Sequence, residues 1–270
     1  MMLRLYLASR KHKWLYPIYL GLRIPLIFPA LAANEGVVGA LKWLGCRAGL
    51  LRGKEVTFHS RHGFTLSHLM EFVVYDEIFI EGCYNFKNLP GLLRGKPSVR
   101  VVDFGTHHGL FINYVQSFNP AAEVYGAEMN PVSFGHAAGR FRGQPAVTIR
   151  NVAIGGAARK ERIALATVST RQSFNGSGDV EVDVTTADDC LRQWNILGGK
   201  IDLLKMDIEG AEKEVFENLP SISKTLASTT AIVMEIHDEA GAALIPSRLS
   251  SLGFRLDERR MTGYFFVRDQ

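Results

Sequence analysis

The chain predicts an α/β protein built on a doubly wound, mostly parallel sheet that ends in an antiparallel strand. Three observations point there. From Val99 onward, short apolar runs alternate with helical stretches, the pattern of repeated strand–helix units. Val99-Arg100-Val101-Val102 leads into Asp103, Gly105 and Gly109 follow four residues apart, and Leu110-Phe111-Ile112 comes next. That order reads as a buried strand, a tight loop and the start of a helix. The last two extended runs, 253–258 and 263–268, are separated by only a short polar turn, which predicts a closing hairpin.

The 270 residues suffice for one large domain with an N-terminal extension. A hydrophobic share of 47% against 21% charged residues is that of a globular chain with a sizeable core. The expected division is a basic and apolar helical extension over 1–54, a hairpin and helix over 55–97 as an acceptor-side cap, and a ligand-binding domain over 98–270.

Arg4, Arg10, Lys11, Lys13 and Arg23 precede Asn34 without a single acid among them. Such a segment suits an anionic membrane surface, so residues 1–34 are expected to make peripheral membrane contact. Residues 15–33 are strongly apolar, but Pro17, Pro25, Pro29 and Arg23 argue against a straight span. The same prolines and the long basic stretch set this segment apart from a secretory signal. Gly36 to Leu51 reads as a further helix. Two extended runs, Glu55–His59 and Phe64–Ser67, flank Arg61-His62-Gly63 as a hairpin. Glu71 to Tyr84 is rich in aromatics (Phe72, Tyr75, Phe79, Tyr84), read as core with some members lining an acceptor pocket. Pro90 to Pro97 reads as a linker.

Strands are expected at 99–104, 123–128, 147–153, 202–207, 230–236, 253–258 and 263–268. Two alternating runs, Arg162–Val168 and Asp179–Thr185, form an insertion between the third and the fourth. Cys46, Cys83 and Cys190 are too few and too widely spaced for a disulfide framework or a zinc site, which fits a reducing, cytoplasmic setting. Past Asn34 the basic residues are scattered among acids, so no nucleic-acid partner is expected.

The chemistry is expected at strand ends, where open α/β sheets bind ligands. Glycines at 105 and 109 let a loop backbone approach a ligand, and the helix start offers free N–H donors. Asp103 before that loop suits a cationic or hydroxyl-rich ligand better than a pyrophosphate. Glu128, 23 residues past Gly105, is placed to accept both hydroxyls of a ribose. The nicotinamide fingerprint fails on spacing, because Thr106-His107-His108 separates the two glycines. S-adenosyl-L-methionine is therefore the expected cofactor. Asp207, Glu209 and Glu212 follow the strand 202–207, with Glu212 read as complementing a helix dipole. Glu235 and His237 end the fifth strand and share one side by alternation.

Asp103-Phe104-Gly105, Glu128, Asn151-Val152-Ala153, the run Asp179–Asp188 and above all Leu204-Lys205-Met206-Asp207-Ile208-Glu209-Gly210-Ala211-Glu212 resemble the FkbM family of S-adenosylmethionine-dependent methyltransferases. The similarity covers roughly residues 72–237. It implies a Rossmann-like class I methyltransferase sheet with a reversed last strand, and O-methylation of a sugar, glycolipid or related metabolite. Carried over by position, Asp103, Gly105 and Gly109 flank the methionine end of the cofactor, with Thr106 and His107 in the same loop. Glu128 holds the ribose with Met129 beside it, and Asn151, Val152 and Ala153 lie by the adenine. The chain departs from the family at Thr106 and His107, where small residues and asparagine are usual, and at Ala187, where leucine is usual.

A hydroxyl must lose its proton before it attacks a sulfonium methyl, so a base is expected beside the acceptor. Asp207 and His237 are the candidates, followed by His107 and His108. A less favoured version has Asp207 and Glu209, with Glu235 or His237, holding a divalent cation. A different class is a non-catalytic cofactor-binding partner of a membrane-associated glycan assembly, with the N-terminus as its working end.

Overall fold

The computed structural model describes residues 16–47, 58–67, 69–163, 178, 180–260 and 262–269. It falls into two units, residues 1–82 and 83–270.

In the first unit, helix α1 (Tyr16–Arg47) runs through Pro25 and Pro29 and kinks at Gly36, whose φ of 74° only glycine adopts easily. The break falls at Gly36, where the sequence places the start of a further helix. Pro25 and Pro29 are both exposed, where a helix tolerates a missing N–H group better than in a buried turn. Ile27, Leu31, Ala40 and Trp43 form the buried side. Buried with them is Glu35, whose carboxylate accepts from Tyr75 Oη (2.5 Å), Ser60 Oγ (2.6 Å) and Arg61 N (2.8 Å). That acid ties α1 to the antiparallel pair β1 (Phe58–His59) and β2 (Thr65–Leu66), and to helix α2 (Leu69–Tyr75). A π-helical turn, Asp76–Ile80, continues α2. Among the described residues, no helix is long and apolar enough to cross a membrane.

The second unit opens with a short helix, α3 (Leu89–Leu93), where the sequence predicts a linker. Leu89 and Leu93, four apart, are both fully buried, and Asn119 Nδ2 donates to the carbonyls of Leu93 and Lys96 at 3.0 Å each. Proline and glycine content concealed that spacing.

Seven strands then build the main sheet: β3 (Arg100–Phe104), β4 (Glu123–Glu128), β5 (Val147–Asn151), β9 (Ile201–Met206), β10 (Thr229–Glu235), β11 (Phe254–Arg260) and β12 (Gly263–Arg268). Their order is β11-β12-β10-β9-β3-β4-β5, with β12 antiparallel to β10 and the first five in chain order mutually parallel. The expected doubly wound sheet with a reversed end is thus observed. Helices α4 (Leu110–Phe118), α5 (Pro131–Arg140), α6 (Ala187–Gln193), α7 (Glu212–Glu217), α8 (Ser223–Ala227) and α9 (Glu239–Ser251) link the strands. The insertion is a separate small sheet in which β8 (Val180–Thr185) pairs β6 (Ala153–Ile154) and, antiparallel, β7 (Arg159–Ile163). The stretch 164–168 of the first predicted run lies outside the described residues. Asp188 holds α8, accepting from Lys224 N, Thr225 N and Thr225 Oγ1. Ala187 is buried in the main core.

β9 is buried along its whole length yet carries two charges. Asp202, at its start, accepts from Arg100 N and Lys200 Nζ. Lys205, near its end, donates to Asp103 Oδ1 at 3.0 Å and to the Gly105 carbonyl at 2.8 Å. Its ammonium also sits 5.5 Å from the centre of the Phe111 ring. Burial opposes the charge on Lys205, but Asp103 and Asp207 outweigh it and raise its pKa. Removing one partner of such a buried pair leaves an uncompensated charge. Lys205→Met is expected to cost about 3–5 kcal/mol in urea denaturation, and adding Asp103→Leu to recover most of that loss.

Candidate active site

Strand order reverses between β3 and β9, and an open sheet forms its ligand crevice at such a switch point. The carboxyl ends of β3, β4, β9 and β10 deliver Asp103, Glu128, Asp207, Glu235 and His237 to that edge.

Asp103 is fully buried inside β3 rather than standing at its tip. One oxygen meets Lys205, and Oδ2 has no hydrogen-bond partner. Because Lys205 offsets the carboxylate, repulsion by Asp103 is a weaker argument against a pyrophosphate than the sequence suggests.

The glycines also have close neighbours within the protein. A Cβ on Gly105 would fall 1.8 Å from the Asp207 carbonyl, and one on Gly109 would fall 2.5 Å from the Phe141 ring. Both residues have positive φ, 85° and 83°. Close approach is thus required first by the protein's own backbone and core, and the ligand inherits the resulting loop. Thr106 Oγ1 closes that loop on the Asp103 carbonyl at 3.0 Å. α4 begins at Gly109 without a side-chain cap.

Glu128 ends β4 in a buried position, where Oε2 accepts from His107 N (2.7 Å) and Oε1 from Asn130 N (2.8 Å). Asn130, not Glu128, caps α5 through Val132 N and Ser133 N. Burial pushes the Glu128 carboxyl up to about 7, against the two backbone N–H groups that favour its charged form. Asn151 Nδ2 donates to the carbonyls of Glu128 (2.7 Å) and Met129 (3.0 Å), and Val152 N donates to Glu128 O. Val152 and Ala153 are buried where the chain leaves β5 for the small sheet, and Met129 packs against that sheet's core. The sequence-predicted ribose and adenine residues are therefore brought together at one strand end.

The third group lies where β9 and β10 finish. His237 Nε2 is 3.6 Å from Asp207 Oδ1 and 3.8 Å from both Glu209 Oε2 and Glu235 Oε2, while Nδ1 is 3.4 Å from Glu212 Oε1. Burial alone would lower the His237 pKa, but Glu212, Asp207 and Glu209 overcome it and raise it to about 9. Burial and the neighbouring Asp207 push Glu209 up to about 8, and the same two causes raise Glu235. Glu209 adopts a left-handed φ of 58°, held by Glu212, whose carboxylate accepts from Ile208 N and Gly210 N. One donor atom each from Asp207, Glu209 and His237 lies within 4.8 Å of the others.

Sequence reasoning left two of these participants without a specific role. Tyr84 donates to Asp207 Oδ2 at 3.1 Å, and burial together with Asp207 raises its pKa far enough to keep the hydroxyl a donor. It was legible only as one aromatic among several. Lys205 carried a signal that was available, since a lysine inside an otherwise apolar strand needs a buried partner. Glu235, read as an alternative ligand of a divalent cation, is the third acid facing His237 Nε2. His107 and His108 stack at 4.4 Å, and His108 stacks on His136 at 4.8 Å, away from the contacts of the acid group.

The family model described as a methyltransferase FkbM domain matches residues 103–256, more than half the chain. That match starts at Asp103 and ends in β11, later at both ends than the resemblance read from the motifs. Methyltransferase sdnD of Sordaria araneosa is 24% identical over 244 residues, covering 73% of this chain and 87% of the relative. Among solved structures, the METTL16 methyltransferase domain aligns over 87% of this chain and 79% of its own, at 11% identity and a TM-score of 0.43. The ribosomal protein L11 methylase of Lactobacillus delbrueckii subsp. bulgaricus aligns over 67% and 77%, at 15% identity and a TM-score of 0.38. With its sheet order, its strand-end acids and a domain match across both, this chain belongs to the FkbM family of S-adenosylmethionine-dependent methyltransferases.

Proposed function

We propose that the protein transfers the methyl group of S-adenosylmethionine to a hydroxyl of a sugar, glycolipid or related metabolite, with Asp207 receiving the hydroxyl proton. The observation that carries this reading is the Tyr84–Asp207–His237 arrangement beside the cofactor crevice. A buried tyrosine hydroxyl fixes one oxygen of Asp207, and the other faces an imidazole. The imidazole stays charged near neutral pH, so it orients Asp207 and compensates its charge. Asp207 is then the proton acceptor, and an in-line displacement needs little else beyond alignment.

The cofactor fits the residues present. Asp103 Oδ2 is a buried acceptor with no protein partner, suited to the ammonium of a methionine moiety. Glu128 presents a buried carboxylate to a ribose. When bound, the cofactor supplies an electrophilic methyl on a positively charged sulfur, which a crevice rich in acids attracts.

A second reading is supported by the donor atoms of Asp207, Glu209 and His237 lying within 4.8 Å of one another. Those residues suit a divalent cation of the magnesium or manganese class, which would lower the acceptor's pKa.

The test is transfer of labelled methyl from S-adenosylmethionine to a panel of sugars, glycolipids and hydroxylated metabolites. Label in a stable methyl ether supports the reading. Cofactor binding without transfer overturns it in favour of a non-catalytic module. In the same assay Asp207→Asn is expected to lower turnover about 100-fold or more while leaving S-adenosylhomocysteine affinity within about twofold; full turnover would remove Asp207 as base. Chelator treatment is expected to leave turnover unchanged. Loss that added magnesium or manganese restores would move the assignment to the cation.

Glu128 gives a pH prediction. Its raised pKa means that the carboxylate, the better acceptor for two hydroxyls, is depleted as pH falls. Affinity for S-adenosylhomocysteine, measured by calorimetry, is expected to rise from about pH 6 to about pH 8. Glu128→Gln is expected to bind about tenfold more weakly, without that slope.

A further inference from the structure

Helix α1 is apolar on two sides. One side is the buried face with Ile27, Leu31, Ala40 and Trp43. The other is exposed and also apolar: Pro25, Pro29 and Ala33 at every fourth residue before the kink at Gly36, and Val37 and Leu41 with Val38 alongside after it. Val37, Val38 and Leu41 are 59%, 67% and 57% exposed, so three of the five large exposed apolar side chains among the described residues sit on this one stripe. A helix whose outer face meets only water carries polar residues there.

The sequence segment that carries the stripe is strongly cationic. Residues 1–47 contain Arg4, Arg10, Lys11, Lys13, Arg23, Lys42 and Arg47 against a single acid, Glu35. Glu35 is buried and takes three hydrogen bonds inside its own unit, so it contributes no surface anion. Surplus cations flanking an exposed apolar stripe are complementary to an anionic lipid surface. Two prolines and a kink at Gly36 suit a helix lying along an interface better than one crossing it.

We infer that the exposed face of α1, from Pro25 to Leu41, is a docking surface for an anionic bilayer. The helix lies in the headgroup plane with Val37, Val38 and Leu41 entering the acyl boundary. This moves the contact deeper into the chain than residues 1–34, where sequence charge alone put it. The inference is independent of the methyl acceptor and of the base.

Flotation of the full chain with phosphatidylcholine vesicles, with and without phosphatidylglycerol, tests it. The protein is expected to float with the anionic vesicles, to float poorly with the neutral ones, and to lose binding as salt rises. Val37→Asp/Leu41→Asp is expected to lower the bound fraction about tenfold, with Val37→Ser/Leu41→Ser giving a smaller drop. Unchanged far-UV circular dichroism and an unchanged urea transition of the full chain certify that each variant is folded, and if the aspartate pair fails that check, the serine pair decides. No flotation of the wild type with anionic vesicles overturns the inference, as do variants that float like wild type. A wild-type dimer that the substitutions split, without vesicle binding, assigns the stripe to self-association instead and equally overturns it.

Discussion

The contact on which this site depends is the one between Lys205 and the turn after β3. A single ammonium bonds Asp103 Oδ1 and the Gly105 carbonyl and lies 3.9 Å from Asp207 Oδ2. The turn after β3 and the end of β9, about 100 residues apart in the chain, are thereby pinned to one point at the switch of the sheet. In a position so thoroughly buried, a cation persists only because every direction it faces offers an acceptor. The same requirement fixes the turn: the Gly105 carbonyl must point at Lys205, and only then does the backbone reach the Ala127 carbonyl through the N–H groups of Gly105 and Thr106.

Acids accumulate around this point. Asp207, Glu209, Glu212 and Glu235 all face His237 within 4 Å. Such crowding is costly in a half-buried place, and the protein relieves it in three ways. Glu212 is given to backbone N–H groups, His237 holds a proton, and Glu209 and Glu235 hold theirs more tightly than free carboxyls do. Groups kept under this kind of electrostatic load are those that proton transfer or cation binding uses. The load also explains why Glu209 tolerates a left-handed backbone, since its carboxyl cannot otherwise share the space with its neighbours.

The sheet was legible because its strands are continuous apolar runs bounded by turn residues, and a parallel strand buried on both faces has no other pattern to offer. Ile201–Met206 and Thr229–Glu235 were found within a residue or two of their ends. The acids at strand ends were legible by the same rule of place. What the sequence concealed depended on pairing across distance. That Lys205 meets Asp103 follows from β9 lying beside β3, and that Tyr84 meets Asp207 spans 123 residues. A local signal misled at Pro90–Pro97, where proline and glycine hid a packed turn of helix. At Gly105 the missing side chain announced closeness, and the structure adds that the Asp207 backbone is one of the neighbours it admits.

Gly105 and Asp207 are packed backbone to backbone, with room for no atom between them, and Asp207 N in turn donates to the Phe104 carbonyl. The turn after β3 and the residue that follows β9 are consequently held together through main-chain atoms. A substitution that widens this contact at either end is felt at the other, because main chain and not a movable side chain carries it.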